Sequence, residues 1–114
     1  MFQPGEIVLA AFPFTSASGV KRRPCLVLAA GDSADDFVVA FITTTLASAQ
    51  LPSATVVSPN HPAWKQSGLK TASVIRVDKL LTLNSSVFSG AIGILPPGVL
   101  GAVRSKLKLL LQIP

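Results

Sequence analysis

The 114-residue chain is long enough for one domain, residues 1–114, burying about two-thirds of its unfolded surface, and it requires no second. Hydrophobic residues make up 49% and charged residues 13%, about half the charged share usual in a globular chain, an apolar excess that points to a homodimer. Ten Lys and Arg against five acids give a formal charge of +5, which favours a polyanionic partner. No apolar run approaches the roughly 20 residues of a membrane span and the N-terminus shows no secretory apolar region, so the expectation is a cytoplasmic protein with no membrane partner.

In chain order, Ile7 to Phe12 is apolar on both faces, as a central or barrel strand is, and Pro13 closes it. Residues 14–23, small and polar and then basic, predict a flexible connection. Pro24 to Ala30 predicts a second strand, Gly31 to Asp35 a turn, and Phe37 to Thr43 a third strand rich in Val, Phe and Ile, so the three are close enough to form a meander. Between Thr44 and Pro62 a connecting loop dominates, with one short strand at Ala54 to Val57. Ser73 to Val77, Leu80 to Leu83 and Val87 to Ile94 read as further short strands. After Pro96-Pro97-Gly98, apolar residues at Val99, Leu100, Val103, Leu107, Leu110 and Leu111 have helical spacing, with proline at the first turn. The fold class is therefore mainly β with one C-terminal helix packed on a barrel.

Chemistry is sparse. The only cysteine, Cys25, sits in the apolar run 24–28 and reads as a buried, inert thiol. The only histidine, His61, excludes a histidine-pair nuclease and suits a loop or capping role. Asp32, Asp35 and Asp36 share a turn without His or Cys at ligand spacing, so neither a metal nor a cofactor is expected, and the phosphate-cradling glycine loops and the serine-hydrolase elbow are missing. Three constellations remain. Arg76 and Asp78, two apart in a strand, project to one face about 6.5 to 7 Å apart, either as a surface ion pair or as two groups flanking one phosphate, with Lys79 beside them. Lys21-Arg22-Arg23 is either a solvated basic loop or a guanidinium fork for phosphate oxygens. Thr43-Thr44-Thr45 offers hydroxyls at a strand end. Trp64 and Phe14 are open to two readings, stacking on unpaired bases or packing in the core.

Three segments in order carry a resemblance: Gly5-Glu6-Ile7-Val8-Leu9 with Phe12-Pro13-Phe14-Thr15; Lys21-Arg22-Arg23-Pro24-Cys25-Leu26-Val27-Leu28; and Val74-Ile75-Arg76-Val77-Asp78-Lys79-Leu80. Together, and with Ala40-Phe41-Ile42-Thr43 and the terminal helix, they resemble the MazF/PemK family of type II toxin–antitoxin endoribonucleases, the PemK-like branch in particular. The resemblance implies a small SH3-like barrel of the MazF/PemK, CcdB-like type with a C-terminal helix. It also implies a homodimer, metal-independent cleavage of single-stranded RNA, and inhibition by a cognate antitoxin protein. Carried over by position, Arg23 looks like the phosphate-contacting arginine, Thr43 like the active-site threonine, and Arg76 and Asp78 like the R-x-D pair given acid and base roles. Phe14, Ser18, Lys21, Arg22, Lys70 and Lys79 are then expected to contact RNA. Where some members carry a histidine or glutamate after the first strand, this chain has Thr15, Ser16, Ser18 and Lys21. The alternatives are a catalytically inactive or gyrase-directed relative of the same fold and a non-catalytic nucleic-acid-binding module. Against the module, a carboxylate beside a bound phosphate repels it.

Overall fold

Six strands form one antiparallel sheet in a computed structural model that describes residues 2–12 and 21–114. They are β1 (Glu6–Phe12), β2 (Lys21–Ala30), β3 (Asp36–Thr43), β4 (Ala54–Val57), β5 (Ser73–Asn84) and β6 (Phe88–Ile94), with a short helix α1 (Trp64–Ser67) and a terminal helix α2 (Pro97–Leu110). The order across the sheet is β4-β5-β3-β2-β1-β6, so the predicted meander of the first three strands forms its centre. The hydrogen-bonded ladder does not close: β4 and β6 are its two edges. The expected barrel is thus an open sheet, carrying the expected mainly β content and C-terminal helix.

Strand alternation buries both faces. Ile7, Leu26, Leu28, Ala40, Ile42, Ile75 and Val77 point into one cluster, completed by Val57, Ala63, Leu69, Leu95, Leu100 and Val103. Their neighbours Val8, Ala10, Cys25, Val27, Phe37 and Val39 form a second cluster on the opposite face, edged by Phe2, Phe41, Leu81, Leu83 and Phe88. Both strand faces being apolar explains why these runs show no polar alternation. Helix α2 covers the first cluster with Leu100 and Val103, while Leu109, Leu110 and Leu111 beyond them are exposed. Trp64 packs partly buried against that same cluster, which decides between its two readings in favour of the core.

Three local departures from the predicted elements shape the candidate site. First, Lys21 to Arg23 belong to β2 and pair with Phe12, Ala11 and Ala10 of β1, where the sequence suggested a connection; the polar residues are carried because β1 supplies a ladder partner. Second, the β2–β3 ladder begins only at Cys25↔Phe41, one residue past Pro24, which has no N–H to donate into a central pairing. Below that point β2 and β3 are unpaired, and a groove opens between Arg23 and Thr43. Third, the two short strands expected at 73–77 and 80–83 are one strand with a register break: Ala40 faces Leu80 but Phe41 faces Arg76. Val77, Asp78 and Lys79 therefore have no partner on β3. Such insertions bend a strand and re-aim side chains.

The stretch 44–62 also contains a 3-10 turn, Leu46–Gln50, and α1 ends at Gly68 in the left-handed conformation (φ 71°). A Cβ on Gly68 would stand 2.0 Å from the Ile92 carbonyl oxygen, so only glycine lets α1 lie against β6. The described helices include none long and apolar enough to cross a membrane.

A candidate phosphate groove on β2, β3 and β5

Across the gap left below Pro24, Arg23, Phe41, Ile42, Thr43, Thr45, Ser48, Arg76 and Lys79 line a groove of about 360 Å³. Strand β2 supplies Arg23, β3 supplies Thr43, and β5 supplies Arg76 opposite Phe41. Two guanidiniums, one ammonium and several hydroxyls converge there, which is the donor set of an anion site.

Arg76 and Asp78 are joined bidentately: Nε donates to Oδ1 at 2.9 Å and Nη2 to Oδ2 at 2.6 Å. Their side chains are 18% and 30% exposed. Being two apart on a strand puts them on one face, as the spacing predicted, and the register break frees Asp78 to turn back onto the guanidinium. The Arg76 hydrogen bond holds the Asp78 carboxyl below the usual carboxylate range, against the opposing effect of burial. The same bond raises the Arg76 pKa further. On the far side of the guanidinium, Nη1 donates to the Ser48 hydroxyl at 3.4 Å. Ser48 is buried on the 3-10 turn. At Thr43, the hydroxyl oxygen accepts from the Thr45 N–H at 3.1 Å, which fixes its rotamer and leaves its own O–H to donate.

Of the residues singled out from the sequence, Arg23, Thr43, Arg76 and Lys79 come together, and Asp78 lies at the border of the groove, attached through Arg76. Asp78 also lines an adjacent apolar depression with Leu51, Pro52, Ser53, Lys106, Leu109 and Leu110. Lys70 is elsewhere, in a depression with Leu9, Pro24, Thr44, Gly68, Leu69, Thr71, Ser73 and Ile92. Lys21 and Arg22 are exposed at the start of β2. Phe14 and Ser18 lie outside the described residues. Thr45, from the hydroxyl run singled out at the end of β3, also lines the groove; Ser48 was not legible as a site residue, since a small hydroxyl in a weakly patterned loop carries no signal until the loop folds against β5.

The remaining reactive residues stand apart. Burial pushes the Cys25 thiol up to about 12, so it stays protonated and inert. His61 accepts the Ala63 N–H through Nδ1 at 3.0 Å, the capping role its position suggested. Among the described residues no three His, Cys, Asp or Glu side chains are grouped as a metal site, and Asp36 instead accepts from Asn84 Nδ2 at 3.1 Å.

The model of the family described as PemK-like, MazF-like toxins of type II toxin–antitoxin systems matches residues 3–111, and the chain belongs to that family. Compared by sequence with curated proteins, it matches none. Among solved structures it is similar to an endoribonuclease from a mycobacterial species in complex with its cognate antitoxin, at 16% identity and a TM-score of 0.76 over 100% of this chain and 98% of that one. It is also similar to the Mycobacterium tuberculosis toxin MazF-mt6, at 22% identity and a TM-score of 0.73 over 96% and 98% of the two chains. The MazE-MazF structure (form III) from Deinococcus radiodurans gives 25% identity and a TM-score of 0.72 over 99% and 98%.

The Arg76 bond to Asp78 has a measurable consequence. In a carboxyl NMR titration Asp78 is expected to have a midpoint below about 3.9, the value of free aspartate, because the Arg76 hydrogen bond favours the ionised form. In Arg76→Ala the midpoint should move back up toward that value. A midpoint that ignores the loss of Arg76 contradicts the pairing.

Proposed function

We propose that the chain is a metal-independent endoribonuclease toxin that cleaves single-stranded RNA by attack of a 2′-hydroxyl on the adjacent phosphate. The observation that carries this reading is the bidentate Arg76–Asp78 pair at the edge of a groove lined by Arg23 and Thr43. A pure anion-binding surface gains nothing from a carboxylate at that point, because it repels the ligand. A transesterification needs a base to take the 2′-hydroxyl proton, and this carboxylate can serve as one.

In this mechanism Arg23 and the Thr43 hydroxyl hold the scissile phosphate, and Asp78 is the base. Each Asp78 oxygen is engaged with Arg76 but keeps a second lone pair, so the carboxylate accepts the 2′-hydroxyl proton without leaving its partner. Arg76 keeps one N–H on each of Nη1 and Nη2 beyond the bonds it already makes, and these stabilise the charge that grows on the phosphoryl oxygens. The 2′-oxygen displaces the 5′-oxygen, leaving a 2′,3′-cyclic phosphate and a 5′-hydroxyl. Lys79 lies in the groove, and in this reading Lys21, Arg22 and Lys70, outside it, meet the backbone of a longer strand by counterion release. Phe14 and Ser18 complete the proposed RNA contacts. The protein acts in the cytoplasm as a homodimer of single-domain chains, neutralised by a cognate antitoxin, as the mycobacterial structure pairs an endoribonuclease with its own.

Incubation with a single-stranded RNA in EDTA is expected to give 5′-hydroxyl and 2′,3′-cyclic ends at an undiminished rate. A 2′-deoxy residue at the cut should block cleavage while preserving binding. Asp78→Ala and Arg76→Ala should each slow the chemical step by roughly 10²-fold or more. Cleavage that requires magnesium or leaves 5′-phosphates overturns the mechanism.

The homodimer rests on the apolar excess and on the exposed Leu109, Leu110, Leu111 and Ile113 at the end of the chain, next to the apolar depression lined by Leu51 and Pro52. Sedimentation should find a dimer at micromolar concentration, and Leu110→Asp should weaken it. A wild-type monomer under those conditions contradicts the assignment.

A further inference from the structure

Departure of the 5′-oxygen calls for a proton from the side of the phosphorus opposite the base, because attacking and leaving oxygens are in line. Arg76 is poorly placed for this task. It is gripped by both oxygens of Asp78, so guanidinium and carboxylate sit together on one flank and cannot face each other across a phosphate while that pair is intact. A guanidinium is also a weaker acid than an ammonium, which releases its proton on the order of 100-fold more readily.

The other protic groups of the groove narrow the choice. Arg23 is a second guanidinium, and the Thr43, Thr45 and Ser48 hydroxyls have no proton to spare without a relay. Lys79 is the ammonium among the described residues that line the groove. The register break lets it occupy this position: in an unbroken ladder Lys79 would be paired with β3, whereas it lies in the segment without a partner between Leu80 and Arg76. It is exposed, and among the described residues no hydrogen bond or ion pair to its Nζ is present. Lys79 lines the groove itself, while Asp78, attached through Arg76 at its border, also lines the depression with Leu109. The segment 13–20 has no ionisable side chain.

Resting on the ribonuclease reading above, we propose that Lys79 is the catalytic acid of this toxin, donating a proton to the leaving 5′-oxygen. The 2′-hydroxyl proton passes to the Asp78 carboxylate as the 2′-O–P bond forms. The P–O5′ bond breaks, its electron pair goes to O5′, and that oxygen takes a proton from the Lys79 ammonium. Water then returns a proton to the neutral amine and removes one from Asp78, so no other reactant is consumed.

The test uses the full chain and two RNA substrates, one ordinary and one with sulfur in place of the 5′-oxygen at the cut. A thiolate leaves without protonation because a thiol is far more acidic than an alcohol. Lys79→Ala should slow single-turnover cleavage of the ordinary RNA about 10²-fold yet cut the sulfur substrate within about threefold of wild type, since no acid is then needed. Lys79→Arg, which keeps the charge, should bind a 2′-deoxy analogue like wild type and still cut the ordinary RNA slowly. Equal slowing of Lys79→Ala on both substrates, no slowing on the ordinary one, or wild-type cleavage by Lys79→Arg overturns the proposal while leaving the ribonuclease reading standing. A wild-type protein that cuts neither RNA overturns both.

Discussion

Three residues of β5 with no partner on β3 are the constraint on which the candidate site depends. Between Leu80 and Arg76 the strand carries Val77, Asp78 and Lys79 past a single step of β3, from Ala40 to Phe41. Val77 keeps the strand anchored by staying buried in the main core, which contributes about 1.5 to 3 kcal/mol as such a side chain does when fully buried. With that anchor in place Asp78 is free to close on Arg76 and Lys79 to reach the groove. A regular ladder would pair all three with β3 and spread them along the sheet. The bulge thus converts a linear sequence motif into a cluster of charges, at little energetic gain from the exposed ion pair itself.

The second constraint is Pro24. A proline in a central strand removes a donor, and here the cost is avoided because β2 and β3 part at that residue. The parting produces the groove between Arg23 and Thr43. The same two strands pair from Cys25 onward, with one register shift between Val27 and Ala29, so Arg23 and Thr43 are held by strand backbone rather than by loops. Preorganised donors of this kind need little reorganisation when charge develops on a bound phosphate.

Much of this was legible in the sequence, for identifiable reasons. The strands read at 7–12, 24–30 and 37–43 are rich in apolar residues, and the terminal helix repeats its apolar residues every three and four positions, so the dominant physical term, burial, was visible residue by residue. The same-face geometry of Arg76 and Asp78 follows from the two-residue strand period. What could not be read were effects of pairing between distant segments. Lys21 to Arg23 look like loop until β1 lies beside them, and the break within 73–84 looks like two strands until β3 sets the register. Ser48 has no significance until its turn meets Arg76, and the lysines at 70 and 79 are indistinguishable until the fold puts one in the groove and the other in a different depression. The open edges at β4 and β6 likewise depend on long-range closure, which local patterning does not encode.

The central claim is that a phosphate sits between Arg23, Thr43 and Arg76. A crystal structure with a short RNA carrying one 2′-deoxy residue at the cut position tests it directly, because that analogue lacks the nucleophile but retains the phosphate contacts. The scissile phosphate is expected within hydrogen-bond reach, about 2.7 to 3.2 Å, of the Arg23 and Arg76 guanidiniums and the Thr43 hydroxyl, with C2′ facing Asp78. An oligonucleotide whose phosphates bypass this groove, for instance through the depression beside Lys70, would contradict the account.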